Sequence, residues 1–124
     1  MRDVRDRRPL TLPDVSDSLL TEYGLRRGGA TEPSYQCSDP TATLIPLDQI
    51  ACEPRFLNEK DTRSLLQGIR DRSAIPPVDV YVASTGKTKL YHGMHRWRVS
   101  VALGYASIPC AFLPAEDVEA LGLS

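Results

Sequence analysis

A chain of 124 residues can bury one modest core, and 41% hydrophobic residues with a formal net charge of −1 exclude both wholesale disorder and a general affinity for nucleic acid. Any anion site must therefore be local. The longest apolar runs are far too short to span a bilayer and the N-terminus has no apolar signal-peptide core, so no membrane association is expected. Cys37, Cys52 and Cys110 are odd in number and widely spaced, which gives no disulfide framework or zinc site and fits a reducing, cytoplasmic location. Both histidines fall in one loop, so a histidine-rich metal centre is excluded.

Residues 1–40 read as a flexible or loosely docked N-terminal arm. Met1 to Arg8 alternates Arg and Asp, Pro9 and Pro13 interrupt it, and Arg26-Arg27-Gly28-Gly29 leads into a Thr/Ser/Pro stretch ending at Pro40. Within it, Ser16 to Leu25 forms at most a short helix with Leu19, Leu20 and Tyr23 on one face. The arm's arginines could meet DNA or a protein partner, but Asp3 and Asp6 favour a solvated tail.

From residue 41 to 124 the pattern becomes that of a regular domain. Thr43 to Leu47 is a short strand, and Leu47-Asp48-Gln49-Ile50 follows as a turn. Asn58 can cap a helix, with Asp61 three residues on and Leu65, Leu66 and Ile69 as its buried stripe. Pro76-Pro77 ends that unit. Val78, Val80 and Val82 alternate with Asp79, Tyr81 and Ala83, the period-two mark of a half-buried strand. Ser84 to Lys87 turns the chain, and Lys89-Leu90-Tyr91 returns as a hairpin arm, with Tyr81 and Tyr91 expected to pair across it. A Gly93 turn then opens an apolar helix that Gly104 caps, Ile108 to Leu113 is a further strand, and Pro114 opens a short acidic helix. Cys110, alternating with Ile108 and Phe112, reads as a core residue.

The chemistry concentrates at Tyr91-His92-Gly93-Met94-His95-Arg96-Trp97-Arg98. His95, Arg96 and Arg98 crowd the start of a helix, where free N–H groups already carry partial positive charge and each further cation costs about 0.3–1 kcal/mol. A glycine turn, helix N–H donors, a guanidinium and an imidazole at one point describe a phosphate pocket. The alternative is arginines splayed into solvent. Trp97, the only tryptophan, sits among aliphatic neighbours and is expected in the core rather than stacked on a base. Lys87 and Lys89 are expected to be solvated.

These residues, in this order, resemble the ParB/sulfiredoxin superfamily. The segments are Ile45 to Ile50, Glu53-Pro54-Arg55, Ile75-Pro76-Pro77-Val78, Gly93 to Arg98, and Leu103-Gly104 ahead of Ile108-Pro109, together somewhat over half the chain. The resemblance implies an α+β fold, a small mixed sheet with helices packed on it. It implies a nucleotide, ATP, ADP or CTP, held by its phosphates on Gly93, Met94, His95 and Arg96. Arg98 would assist, Arg55 would approach the same phosphates, and Mg²⁺ would accompany the nucleotide.

Departures from the branches narrow the reading. Sulfiredoxins carry Gly-Cys-His-Arg in the turn, whereas Met94 stands here, and a thioether cannot serve as the thiolate nucleophile. Partition proteins continue into helix-turn-helix and dimerisation regions, and the roughly ten residues beyond the last strand lead us to expect neither. A third branch resembles small phosphotransferases that use a Glu near the first loop as base. Glu53 could deprotonate an attacking hydroxyl or hold Mg²⁺, or be an ordinary exposed side chain at a bend. His92 is a second candidate base, or simply exposed. Phosphoryl transfer or nucleotide hydrolysis is therefore the leading expectation. The alternatives are a ParB-like nuclease, which wants acidic metal ligands from Asp48, Glu53 and Asp79, and a non-catalytic nucleotide-switched adaptor.

Overall fold

In the computed structural model, which describes residues 11–53 and 55–124, apolar spacing resolves into seven strands and four helices. The strands are β1 (Thr11–Leu12), β2 (Thr43–Pro46), β3 (Ile50–Ala51), β4 (Leu57–Asn58), β5 (Val78–Val82), β6 (Thr88–His92) and β7 (Ser107–Phe112). The helices are α1 (Asp17–Glu22), α2 (Glu59–Arg70), α3 (Met94–Leu103) and α4 (Ala115–Ala120). The segment read as a turn after β2 is one turn of 3-10 helix, Leu47–Gln49.

Five strands form a mixed sheet in the order β2-β7-β5-β6-β3. β2 runs antiparallel to β7, β7 parallel to β5, β5 antiparallel to β6, and β6 parallel to β3. Registers such as Ile45 with Ile108 and Val78 with Cys110 put these four side chains on one face, where period-two alternation requires them. Two clusters make the core. One gathers Val78, Val80, Ile108 and Cys110 of the sheet with Tyr35, Leu47, Ile50 and Ile75, and Trp97 packs against it as expected. The other joins Leu57, Leu66, Val99, Ala102 and Leu103 to Val15, Leu19 and Leu20. Each fully buried Leu there contributes about 1.5–3 kcal/mol by leaving water.

That second cluster corrects the expectation of a loosely docked arm over residues 11–40. Val15, Leu19 and Leu20 are buried, and Val15, the residue before the α1 cap, packs in the same cluster as Leu20, the fourth residue of the helix. Ser16 caps α1 by accepting the Leu19 N–H. β1 pairs with β4, and Tyr35 lies in the sheet cluster with its hydroxyl donating to Pro76 O at 2.7 Å. The Arg/Asp run at residues 2–8 lies outside the described residues.

Two strand expectations also change. Tyr81 pairs with Lys89 rather than Tyr91, because the turn closed by the Ala83 N–H on Lys87 O sets Val82 opposite Thr88. Val82 is 53% exposed while Tyr81 is buried. Lys89, opposite Tyr81 in the ladder, donates from Nζ to Ser124 O at 3.0 Å. Among the described residues no helix is long and apolar enough to cross a membrane.

Candidate functional site

Gly93 sets the site. Its φ of 113° and ψ of 30° turn the chain from β6 into α3, and no side chain caps the helix it starts. Left-handed backbone is open to glycine and costly for other residues. A Cβ at this position would lie 2.6 Å from Val78 Cγ1, so the close approach to β5 demands glycine as well. Ser16 and Asn58 cap α1 and α2, and α4 has Glu116 and Asp117 in its first turn. The first turn of α3 has neither a cap nor an acid. Its first N–H groups have no intrahelical carbonyl to reach, and Gly93, Met94, His95 and Arg96 line a broad open cleft of about 1160 Å³.

The structure brings Glu53, Arg55, His92, Gly93, Met94, His95 and Arg96 to the walls of this one cleft. Arg96 Nη1 donates to the carbonyls of Pro76 (3.3 Å) and Pro77 (3.1 Å), so the Pro-Pro segment orients the guanidinium across the cleft. Glu53 and Arg55 come from the exposed loop between β3 and β4. Met94 lines the cleft and also packs against the α1/α2/α3 cluster. His92 is exposed, with Nδ1 3.9 Å from Asp79 Oδ2, too far for a hydrogen bond.

His95 is more constrained than its sequence position indicates. Its Nε2 accepts the Asn58 N–H at 2.8 Å, across 37 residues. A nitrogen that accepts has no proton, so the neutral ring carries its proton on Nδ1. Burial lowers the His95 pKa below the ordinary histidine value and nearby Arg96 and His92 add to this, while Asp61 opposes it. The imidazole is thus a neutral donor at neutral pH.

Arg98 is the one candidate that the cleft does not receive. It is the fifth residue of α3 and turns away from the turn, with Nη2 donating to Pro13 O at 2.8 Å and Nη1 to Arg55 O at 3.3 Å. Asp14 Oδ1 sits 3.1 Å from Nη2. In the structure Arg98 instead ties segments together, half-buried and outside the cleft lining. The carboxylates expected for metal-assisted nuclease chemistry do not converge, since no group of three His, Cys, Asp or Glu gathers among the described residues.

Sequence reasoning missed two cleft residues. Asp61 was visible only as the partner of the Asn58 cap, a role its N–H fills at 2.9 Å, while the residue also lines the cleft. Cys52 lies in the same wall with its thiol pKa raised by burial, against the opposing pull of Arg98 and Arg55. The signal for both was adjacency to Glu53 and to the start of α2.

A family model described as the ParB N-terminal domain matches residues 34–123. An ATP-dependent L-serine kinase from Desulfurococcus mucosus is 30% identical over 89 residues, covering 68% of this chain and 34% of that protein. The chain therefore spans about a third of the length of this relative. The crystal structure of sulfiredoxin from Arabidopsis thaliana is similar with a TM-score of 0.53 at 23% identity, over 65% of this chain and 96% of that one. That likeness is one of fold.

Proposed function

This chain belongs to the ParB N-terminal domain family, and from that premise we propose that it binds ATP by its phosphates and transfers the terminal phosphoryl group to a small hydroxyl-bearing acceptor. The carrying observation is the uncapped start of α3 facing one cleft together with Arg55, Arg96 and a carboxylate, Glu53. Helix N–H groups and a bidentate guanidinium match phosphate oxygens better than they match any neutral ligand. The similarity to an ATP-dependent L-serine kinase supports both the choice of nucleotide and an acceptor of serine's size.

In this reading the α3 N–H groups, Arg96 and Arg55 hold phosphate oxygens, and His95 donates its Nδ1–H without adding charge. Glu53 accepts the acceptor's hydroxyl proton as its oxygen bonds to the γ-phosphorus. The bond between that phosphorus and the bridging oxygen breaks, and ADP leaves. His92, at the cleft edge, is the alternative base. Mg²⁺ suits the donor set, because the ion is usually held by one or two carboxylates plus phosphates, and Glu53 and Asp61 both line the cleft. Bound there, it would neutralise charge developing on the phosphates.

Calorimetric titration with ATP, ADP and CTP, with and without Mg²⁺, tests the pocket. Arg55→Ala should weaken ATP by about 10- to 150-fold, the worth of one charged hydrogen-bonding group. ADP release on adding L-serine, lost in Glu53→Gln, would establish transfer. Binding without turnover by any small hydroxyl acceptor would leave a nucleotide-switched adaptor, and no binding by any nucleotide would overturn the proposal.

A further inference from the structure

The loop that presents Glu53 and Arg55 has little of its own to fix it. Both residues are exposed, and the regular structure that follows them is only the two-residue strand β4. What holds the loop comes from elsewhere in the chain. β1 pairs Thr11 with Asn58 and Leu12 with Leu57. Arg98, whose side chain is only 14% exposed, reaches Arg55 O with one guanidinium nitrogen and Pro13 O with the other. These bonds span 43 and 85 residues. Residues 11–33 lie outside the stretch that the ParB N-terminal domain model matches.

The N-terminal segment is itself anchored at both ends. Leu12 sits on β4, and Val15 is buried in the α1/α2/α3 cluster. Between them Asp14 accepts the Val15 N–H at 2.7 Å and pairs with Arg98. Burial alone would raise the Asp14 pKa, but the Val15 N–H and Arg98 outweigh it and hold the carboxyl below its ordinary value. Arg98 is thereby neutralised where it stands, and its planar fork is used to join two backbone carbonyls. Lysine, a point charge on a flexible stem, cannot reproduce that geometry.

We propose that Arg98 and residues 11–15 form a strap that positions Arg55 for phosphate binding, so that Arg98 serves the nucleotide through Arg55 and does not touch it. The proposal rests on the nucleotide-binding reading above for its functional half and on loop rigidity for its structural half, and the two are measured separately.

The experiment is a double-mutant cycle on the full chain, with Mg-ATP affinity as one readout and amide hydrogen exchange without nucleotide as the other. Arg98→Met should weaken Mg-ATP about tenfold in the natural background and leave it unchanged in Arg55→Ala, because contacting residues couple and independent ones add. Arg98→Lys should behave like Arg98→Met. In the nucleotide-free protein, exchange should quicken at the Phe56 to Asn58 amides in Arg98→Met, while the β5 amides keep their protection. The same affinity loss in both backgrounds, or full recovery by Arg98→Lys, would mean that Arg98 acts on the phosphates directly and would overturn the strap. Equal quickening in the loop and in β5 would show general destabilisation and would overturn it too. Failure of the unaltered protein to bind Mg-ATP would instead refute the nucleotide reading, and the exchange pattern would still decide the strap.

Discussion

Replacing Gly93 by alanine isolates the demand that the α3 turn makes on sequence. Two costs add. A residue other than glycine at φ 113° occupies sparsely allowed backbone, worth about 1–3 kcal/mol. The new methyl would also stand 2.6 Å from Val78 Cγ1 and 2.9 Å from Val78 Cβ, well inside the roughly 3.5–4.0 Å of favourable carbon contact. Val78 is fully buried in β5, between β6 and β7, and has nowhere to move. Overpacking of that kind costs about 1–3 kcal/mol. The expected loss is therefore about 2–6 kcal/mol, or a fall of about 1–3 M in the urea midpoint for an m-value near 2 kcal/mol/M. Gly86→Ala supplies the control: its φ is 87°, but nothing lies within 4 Å of the added carbon, so only the backbone cost applies. Equilibrium urea unfolding of both variants separates the terms. If Gly93→Ala loses no more than Gly86→Ala, the close approach to Val78 is wrong. If it loses less than about 1 kcal/mol, the backbone argument fails with it.

Three further outcomes follow from the same geometry. Folding suppresses His95 protonation, so stability should be fully present above the unfolded-state value of 6.5 and fall as pH drops from there towards the lowered native value. Melting temperatures across pH 5–8 should show this slope in the natural protein and lose part of it in His95→Gln, and an identical slope would refute the assignment. Cys52 should react with iodoacetamide in the folded protein and be shielded by Mg-ATP. Cys110, buried with its thiol pushed up to about 12 by burial, should react only on unfolding. Mass spectrometry of the labelled peptides reads both, and modification of Cys110 under native conditions would contradict its place in the core. Leu20→Ala should cost about 2–5 kcal/mol in urea unfolding, whereas a loss below about 0.5 kcal/mol is what a surface arm would give.

Much of the sheet and the start of α3 were legible because their signals are local. Gly93 and Gly104 bracket a helix, and both adopt positive φ, which at Gly104 is the usual left-handed C-terminal cap. Asn58 and Asp61, three apart, announced the α2 cap that forms. Val78 and Val80 are buried as alternation predicts, but Tyr81 is buried as well and Val82 is exposed, so the alternation does not extend to the end of β5. Burial of the N-terminal segment has no comparable local signal. Its Pro, Gly and Arg content describes solvated chain, and only Val15, Leu19 and Leu20 signal burial, three residues whose partners Leu57, Leu66 and Val99 lie far away in sequence. At the site, residue types were readable and partners were not. No local pattern ties Arg98 to Pro13 or His95 to the Asn58 N–H.

Those partners change the electrostatics at the start of α3. Three cationic residues near an uncapped N-terminus would together cost about 1–3 kcal/mol if all were charged and unpaired. The folded chain removes most of that cost without any ligand, by a different device for each. His95 is held neutral chiefly by burial, with its Nε2 lone pair given to a backbone N–H. Arg98 is paired with Asp14 one turn further along α3. Arg96 alone keeps its charge at the turn, moderated by two proline carbonyls. Electrostatic frustration therefore cannot be what draws an anion to this cleft. On the proposed reading, affinity must come from what remains directed and unspent: the first-turn N–H groups of α3, the other guanidinium nitrogens of Arg96, and Arg55 on its strapped loop. These are geometric resources more than a charge excess, which is how a chain of net charge −1 can present a phosphate site. Their cost was met in folding, through Gly93 against Val78 and Arg98 against Pro13, so binding need only align the nucleotide.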